Sequence, residues 1–117
     1  MKIRIDALDL MFSRYIRLKA GKCEYCGRYG RLECSHFIGR RKRATRWDER
    51  NVAALCHGCH QHLGENPAEH TEFFEKRLGS DELERMIIRA NTPTKVDKEA
   101  IKEELKEKIK YLEDKDG

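Results

Sequence analysis

The chain has 117 residues, of which 38% are hydrophobic and 39% are charged. This length predicts one compact domain with short appendages, and so few apolar residues favour a bound metal that supplements a thin core. No apolar run approaches the roughly 18 residues of a membrane-spanning helix, and the N-terminus lacks the apolar segment of a signal peptide. We therefore expect a cytoplasmic protein with no membrane partner, in which thiols stay reduced.

Charge is unevenly distributed along the chain, although the net charge is only +4. Residues 14–46 contain 11 Lys and Arg against two Glu, whereas residues 47–117 contain 12 basic and 17 acidic side chains. A basic segment beside an acidic remainder favours a face that binds a polyanion such as nucleic acid. A solvated surface is the alternative explanation.

The first half of the chain predicts a helix, a β-hairpin and a second helix. Asp6 can cap the first helix and Gly21 follows its end. In chain order we predict a helix over 6–19, a turn-rich knuckle over 22–31, a strand over 32–38, a basic loop over 39–50, a returning strand over 51–55 and a helix from about Cys56 to Leu63.

The second half predicts three helices, over 66–79, 80–90 and 97–113. Asn66 is the predicted cap of the first of them, with Pro67 in its first turn. The last helix carries one apolar stripe, which fits packing within the chain or a two-chain seam that would form a homodimer. That stripe consists of Ile101, Leu105, Ile109 and Leu112. We divide the chain into a domain of residues 1–92 and a C-terminal charged amphipathic helix within residues 93–117.

Two Cys-x-x-Cys pairs, Cys23 with Cys26 and Cys56 with Cys59, are separated by 29 residues. A two-residue gap lets one turn present both sulfurs to a tetrahedral ion at about 2.3 Å, and four thiolates complete a structural zinc site. A rubredoxin-like iron site has similar spacing, but rubredoxins are small acidic proteins without a basic loop. The odd cysteine, Cys34, is expected to be a small buried residue of the first strand.

Three polar residues accompany these pairs: His36 on the first strand, Asn51 where the second strand begins, and His60 directly after the last cysteine. With these residues in this order, the chain resembles the HNH (ββα-metal) nuclease superfamily and, within it, small phage HNH endonucleases and recombination proteins of the NinG (Rap) type. The matching segments are FSRYIRLK (12–19), CEYCG (23–27), RLECSHFIGRRKRATRWDERN (31–51), ALCHGCHQHLGENP (54–67) and RLG (77–79).

The resemblance implies an α+β fold: a zinc-bound treble-clef ββα-metal core, made of a β-hairpin and a helix, with additional helices around it. It also implies a DNA endonuclease of phage recombination or DNA processing, acting in the cytoplasm of a bacterial host. His36 would be the general base, because neutral imidazole is available at pH 7. Asn51 would tie the hairpin loop and orient His36. His60 would bind a catalytic divalent ion, Mg²⁺ or Mn²⁺, with Ni²⁺ as a further candidate.

One residue departs from the family pattern. Many HNH enzymes have Asp immediately before the base histidine, and its carboxylate binds the ion, whereas this chain has Ser35. Glu33 is two positions earlier and is expected on the same strand face, so either side chain could contribute to the ion site.

The basic loop lies between the two predicted strands, beside His36, and could clamp phosphates on both sides of a scissile bond. Its cations are Arg40, Arg41, Lys42, Arg43 and Arg46. A solvated turn is the alternative. The sequence thus predicts a zinc-stabilised HNH endonuclease acting on DNA. The alternative is a non-catalytic treble-clef zinc module that binds nucleic acid, which Ser35 favours.

Overall fold

The computed structural model describes residues 4–116 as an α+β fold with six α-helices and one two-stranded antiparallel sheet. In chain order the elements are α1 (Ala7–Ala20), β1 (Glu33–His36), α2 (Arg43–Arg46), a 3₁₀ turn (Glu49–Asn51), β2 (Val52–Leu55), α3 (His57–Glu65), α4 (Pro67–Leu78), α5 (Ser80–Ala90) and α6 (Lys98–Asp116). The predicted α+β class is confirmed. No helix in this described part has the length and apolar character needed to cross a bilayer.

Helix α1 begins in a reciprocal capping arrangement. The Asp9 backbone N–H donates to Asp6 Oδ1 and the Asp6 backbone N–H donates to Asp9 Oδ2, both at 2.9 Å. The helix ends at Gly21, whose φ of 73° suits a residue without a Cβ atom. The predicted helix over 6–19, its cap and its end are therefore confirmed to within one residue.

The two strands pair antiparallel, with Glu33 opposite Leu55 and His36 opposite Val52. Strand β2 is buried along its whole length. Both strands are shorter than predicted, and β1 ends at His36 for a visible reason. Beyond that residue the Asn51 side chain, rather than a neighbouring strand, binds both backbone groups of Ile38. The hairpin therefore continues as a loop closed by a side chain.

The segment between the strands is not the plain loop that its charged sequence predicts. It contains the short helix α2 and the 3₁₀ turn, which begins where Asp48 accepts the Arg50 backbone N–H at 3.0 Å. Thr45, Arg46 and Trp47 are buried here. Burial of these three residues draws the segment onto the core, so the basic loop predicted over residues 39–50 is partly helical and partly buried.

Helices α3, α4 and α5 begin and end within two residues of their predicted positions. Asn66 is the N-cap residue of α4, as predicted, but its side chain makes no bond to the first turn of that helix. Instead, Asn66 Nδ2 donates to the His62 carbonyl at 2.7 Å. The last carbonyls of a helix have no partner within it and need one elsewhere. The Asn66 amide provides that partner for the His62 carbonyl near the end of α3.

Helix α6 packs on α1. Its residues Leu105 and Ile109 are buried in the same core as the buried face of α1. Ion pairs surround this contact, including Lys98 with Asp6 at 2.7 Å. The apolar stripe of the last helix therefore packs within the chain, while a homodimer through this helix stays a prediction.

Candidate metal centre and histidine cleft

The four paired cysteines meet at one point. Their sulfurs all lie within 4.8 Å of one another, and Cys26 Sγ is 3.9 Å from Cys56 Sγ. A tetrahedral zinc ion with bonds of about 2.3 Å would separate its sulfurs by about 3.8 Å. The 3.9 Å contact is too long for a disulfide bond. The predicted set Cys23, Cys26, Cys56 and Cys59 is brought together and could hold a structural metal ion such as zinc.

The surroundings of this cluster favour a thiolate at Cys23. Burial raises the pKa of this thiol, but backbone N–H groups, chiefly those of Cys26 and Cys56, outweigh burial and lower its pKa to about 6. The thiolate is the form that binds metal. Cys34 lies outside the cluster, and burial raises its pKa to about 12. It is thus a neutral thiol of β1 outside the cluster, but it is half-buried rather than buried as predicted.

The first knuckle is fastened to β2 by Glu24. Its backbone N–H donates to the Ala54 carbonyl at 2.9 Å, and its carboxylate accepts the Ala54 N–H at 2.6 Å. Arg77 of α4 then donates to Glu24 Oε1 at 3.1 Å and to the Val52 carbonyl at 3.0 Å. These contacts hold Cys23 and Cys26 beside the strand that leads to the second cysteine pair.

His36 lies at the end of β1 with one nitrogen fixed. Its Nε2 is 2.9 Å from the Arg46 carbonyl oxygen. Because a carbonyl only accepts, Nε2 carries the proton in the neutral ring and Nδ1 is left as an acceptor. Burial lowers the pKa of His36 below its usual 6.5, and the bond to Arg46 opposes this only in part. The imidazole is therefore neutral at pH 7.

His60, in the first turns of α3, has the opposite nitrogen fixed. Its Nδ1 is 2.8 Å from Glu33 Oε1, while Glu33 Oε2 is 3.2 Å from His57 Nδ1. The hydrogen bond with His60 is the main reason that the pKa of Glu33 lies below its usual value. Glu33 is therefore a carboxylate that holds His60 by Nδ1 and leaves Nε2 as the acceptor.

His36 and His60 line one open cleft between α1, the end of β1 and α3. Its volume is about 420 Å³. In the side chains of residues 4–115, His70 Nε2 is the one fully buried nitrogen or oxygen that has no hydrogen-bond partner. Neither His36 Nδ1 nor His60 Nε2 bonds to a described residue, and neither is a fully buried atom. The full lining consists of Ile5, Asp9, Leu10, Ser13, Cys34, His36, Gly39, Arg40 and His60.

Asn51 closes the loop that carries His36. Its side chain is fully buried. Oδ1 accepts the Ile38 N–H at 2.7 Å, while Nδ2 donates to the carbonyls of Ile38 at 2.8 Å and Thr45 at 3.0 Å. Asn51 therefore ties the two sides of the hairpin loop together without reaching the cleft.

Ser35 is not brought to the cleft. It is 3% exposed and does not line the cavity. Alternation along β1 puts its side chain on the sheet face opposite to Cys34 and His36, which both line the cleft. The expectation that Ser35 could contribute to an ion site was wrong, and of the two candidates on this strand only Glu33 contacts a histidine.

The predicted cations of the loop divide into two groups. Arg40 lines the cleft, whereas Arg41, Lys42 and Arg43 are exposed and do not line it. Arg46 is 8% exposed and makes a two-point ion pair with Asp9, at 2.5 and 3.0 Å. The prediction that Arg46 binds nucleic acid was therefore wrong, because its guanidinium is already committed to a buried carboxylate.

Asp9 was missed in the sequence. Besides the ion pair with Arg46, it accepts Trp47 Nε1 at 3.1 Å. Burial raises the pKa of Asp9, but the hydrogen bond from Arg46 helps to bring it below its usual value, so the group is charged. One signal was available: Asp9 shares the spacing of Phe12 and Ile16, both on the buried face of α1. A carboxylate on an apolar stripe needs a buried partner.

Comparison with protein-family models, with curated proteins and with solved structures found no match to this chain. The basis for a function is therefore the chemistry of two neighbouring features. One is a four-sulfur cluster that could hold a metal ion. The other is a cleft with two histidines, each held by one nitrogen.

Proposed function

We propose that this protein is a metal-dependent endonuclease of the HNH type that hydrolyses phosphodiester bonds in DNA, with a treble-clef ββα-metal core around one structural zinc ion. The zinc would be bound by the four paired cysteines. The observation that carries the proposal is that His36 and His60 line one cleft, each with one nitrogen fixed and the other without a partner among the described residues. A role in phage recombination or DNA processing follows from the resemblance.

The state of His36 suits a general base. Hydrolysis of a phosphodiester needs a group that removes a proton from the attacking water. His36 is neutral at pH 7 because burial lowers its pKa, and its Nε2 is already bonded to the Arg46 carbonyl. Nδ1 therefore accepts the proton from a water molecule in the cleft. The positive charge that the imidazole then carries is stabilised by the Arg46 carbonyl, which is bonded to Nε2.

His60 suits a ligand of a divalent ion. Glu33 holds its Nδ1, an arrangement typical of metal-binding histidines whose ligand atom is Nε2. With His60 as its ligand from the protein, an ion would take its other ligands from water and phosphate oxygens. The residues present therefore fit a weakly held ion. Such an ion would stabilise negative charge on the phosphate and the leaving oxygen. Imidazole suits Ni²⁺ better than Mg²⁺, so the preference among Mg²⁺, Mn²⁺ and Ni²⁺ is left to experiment.

The same cleft also gives support to the second candidate, a non-catalytic zinc module that binds nucleic acid. Of the two carboxylates nearest the histidines, Glu33 is bonded to His57 and His60, and Asp9 is paired with Arg46. No carboxylate described in this cleft is left to bind an ion directly. A cleft with Arg40 and two imidazoles could bind phosphate without cleaving it.

Nicking of supercoiled plasmid separates the two candidates. Wild-type protein with Mg²⁺, Mn²⁺ or Ni²⁺ is expected to nick the DNA, and His36→Ala is expected to lower the rate by about 10²- to 10⁴-fold, the usual contribution of a general base. Because the pKa of His36 is lowered, the wild-type rate should persist at pH 6.5 and decline only as pH falls through the lower pKa. The rate is measured by gel densitometry across pH.

His62→Ala is the matched control for that experiment. His62 is also a histidine paired with a carboxylate, Glu69, at 2.7 Å, but it does not line the cleft. It should nick at the wild-type rate. Wild-type protein that binds DNA and nicks with none of the three ions would favour the binding module. Equal activity in His36→Ala would remove His36 from the chemistry.

Arg40, which lines the cleft, and its exposed neighbour Arg41 are expected to contact phosphates. Changing Arg40 and Arg41 together to Ala should weaken DNA binding and reduce the slope of log K against log salt by about 2, because each phosphate contact contributes about 0.9. Fluorescence anisotropy with a labelled duplex at several salt concentrations measures this slope.

Lys76→Ala with Arg85→Ala is the control, since it removes the same charge from exposed positions on α4 and α5. It should leave the slope close to that of the wild type. If both double variants lower the slope equally, binding depends on net charge and not on this face.

A further inference from the structure

A buried ion pair joins α1 to the segment that follows β1. Asp9 and Arg46 are 8% and 9% exposed at their side chains, and two hydrogen bonds connect them. Arg46 Nη2 also donates to the Arg4 carbonyl at 3.0 Å, and its guanidinium lies 4.9 Å from the centre of the Trp47 ring. Every part of the Arg46 side chain is thus held in one place.

Such a pair is a weak source of stability. Removing two charges from water costs several kcal/mol per ion, and an apolar pair of similar volume is often as stable. A buried pair is better explained where it fixes a geometry that an apolar contact would leave loose.

In this chain the geometry that the pair fixes is that of the Arg46 backbone. Arg46 is the last residue of α2, a helix of one turn, whose final carbonyls have no partner within the helix. A helix this short does not hold itself in water. The Arg46 carbonyl is the one that accepts from His36 Nε2. The side chain that α1 anchors therefore belongs to the same residue whose carbonyl orients the histidine.

We propose that Asp9 is a positioning residue that acts through Arg46, holding His36 in the tautomer with the proton on Nε2 and leaving Nδ1 for the cleft. The proposal that this tautomer serves hydrolysis rests on the function proposed above. The positioning itself does not, because it concerns a hydrogen bond that exists with or without cleavage.

The test is made by NMR on the full-length, metal-loaded chain labelled with ¹⁵N at histidine. In the wild type, a His36 Nε2–H signal should be visible, because a hydrogen-bonded N–H exchanges slowly with water, and Nδ1 should have the shift of an unprotonated nitrogen. In Asp9→Asn the Nε2–H signal should disappear, and the two nitrogen shifts should move toward each other. An unchanged His36 signal in a folded Asp9→Asn protein overturns the proposal.

Glu49→Gln is the matched control. Glu49 lies three residues beyond Arg46 and is a carboxylate that binds Tyr15, Lys19 and Lys108. Its removal breaks ion pairs of the same loop with α1 and α6 but touches neither Arg46 nor His36. The His36 signal should therefore persist. Its loss in Glu49→Gln to the same extent as in Asp9→Asn would show that the loop merely loosens, and would also overturn the proposal.

Arg46→Lys covers the case in which Asp9→Asn does not fold. It keeps the charge and the main-chain carbonyl but loses the two-point contact, so the His36 Nε2–H signal should weaken; an unchanged signal counts against the proposal.

If wild-type protein nicks DNA, Asp9→Asn should also lower the nicking rate by about tenfold or more at unchanged DNA affinity. If wild type does not nick, the proposed function fails, and the NMR result still decides the role of Asp9.

Discussion

Chelation of the metal at Cys23, Cys26, Cys56 and Cys59 is expected to unfold the hairpin and α3 together. Binding of structural zinc contributes about 10–16 kcal/mol at pH 7, whereas a domain of this size is stable by only about 5–15 kcal/mol in total. The cluster connects the first knuckle with the beginning of α3, so loss of the metal releases both from each other. Circular dichroism during titration with a chelator, together with metal analysis, measures the loss. One tightly held zinc per chain is expected beforehand.

Substitution of cysteines provides a matched comparison. Cys23→Ser should abolish metal binding and lower the melting temperature strongly, because it removes the one of the four ligands that is buried, at 1% exposure. Cys34→Ala should retain the metal and change stability by about 1 kcal/mol, since Cys34 is a neutral thiol outside the cluster. Iron in the purified protein, or a folded Cys23→Ser protein without metal, would contradict the zinc site.

Asn51→Ala is expected to destabilise the protein by about 3 kcal/mol or more. Asn51 is fully buried, and its loss leaves two backbone groups of Ile38 and the carbonyl of Thr45 without their partner. Each unsatisfied buried group costs about 1–3 kcal/mol. The free energy of unfolding is measured by denaturant titration of the metal-loaded protein.

Asn66→Ala is the control for that substitution. Asn66 is exposed, and its amide donates to the His62 carbonyl, which water can solvate after the substitution. A change within about 0.5 kcal/mol is expected. If both variants lose the same stability, the Asn51 bonds contribute no more than a surface contact, and the hairpin loop is held by other means.

The sequence was a good guide wherever a local signal decides the structure. The bounds of α1 follow from Asp6 and Gly21, and those of α4 and α5 from Pro67 and Gly79, because caps, prolines and glycines act on the nearest backbone. The cysteine spacing likewise predicts a cluster, since two turns that face each other need only the correct gap between sulfurs. The histidines His36 and His60 share a cleft because the same hairpin and helix position both.

The predictions that failed concern residues whose roles depend on contacts that local sequence patterns do not show. Arg46 looks like its neighbours in a basic run, and only the fold brings Asp9 to it across 37 positions. Ser35 is a candidate ion ligand only because it stands where many HNH enzymes have Asp, yet in this strand it faces the side opposite to His36. Asn66 is the N-cap residue of α4, but its side-chain amide binds an open carbonyl of the preceding helix instead of the first turn of α4. Charge and residue type alone do not reveal such competition.

The contacts of Glu24 have a consequence for solubility. A two-stranded sheet leaves an outer edge on each strand, and an uncovered edge can recruit another chain. β2 consists of Val52, Ala53, Ala54 and Leu55, without a charge to deter such pairing. Glu24 binds the outward backbone groups of Ala54, and Arg77 covers the Val52 carbonyl. Release of the knuckle would therefore uncover an apolar edge, so a metal ion bound by the four cysteines would also guard the chain against aggregation.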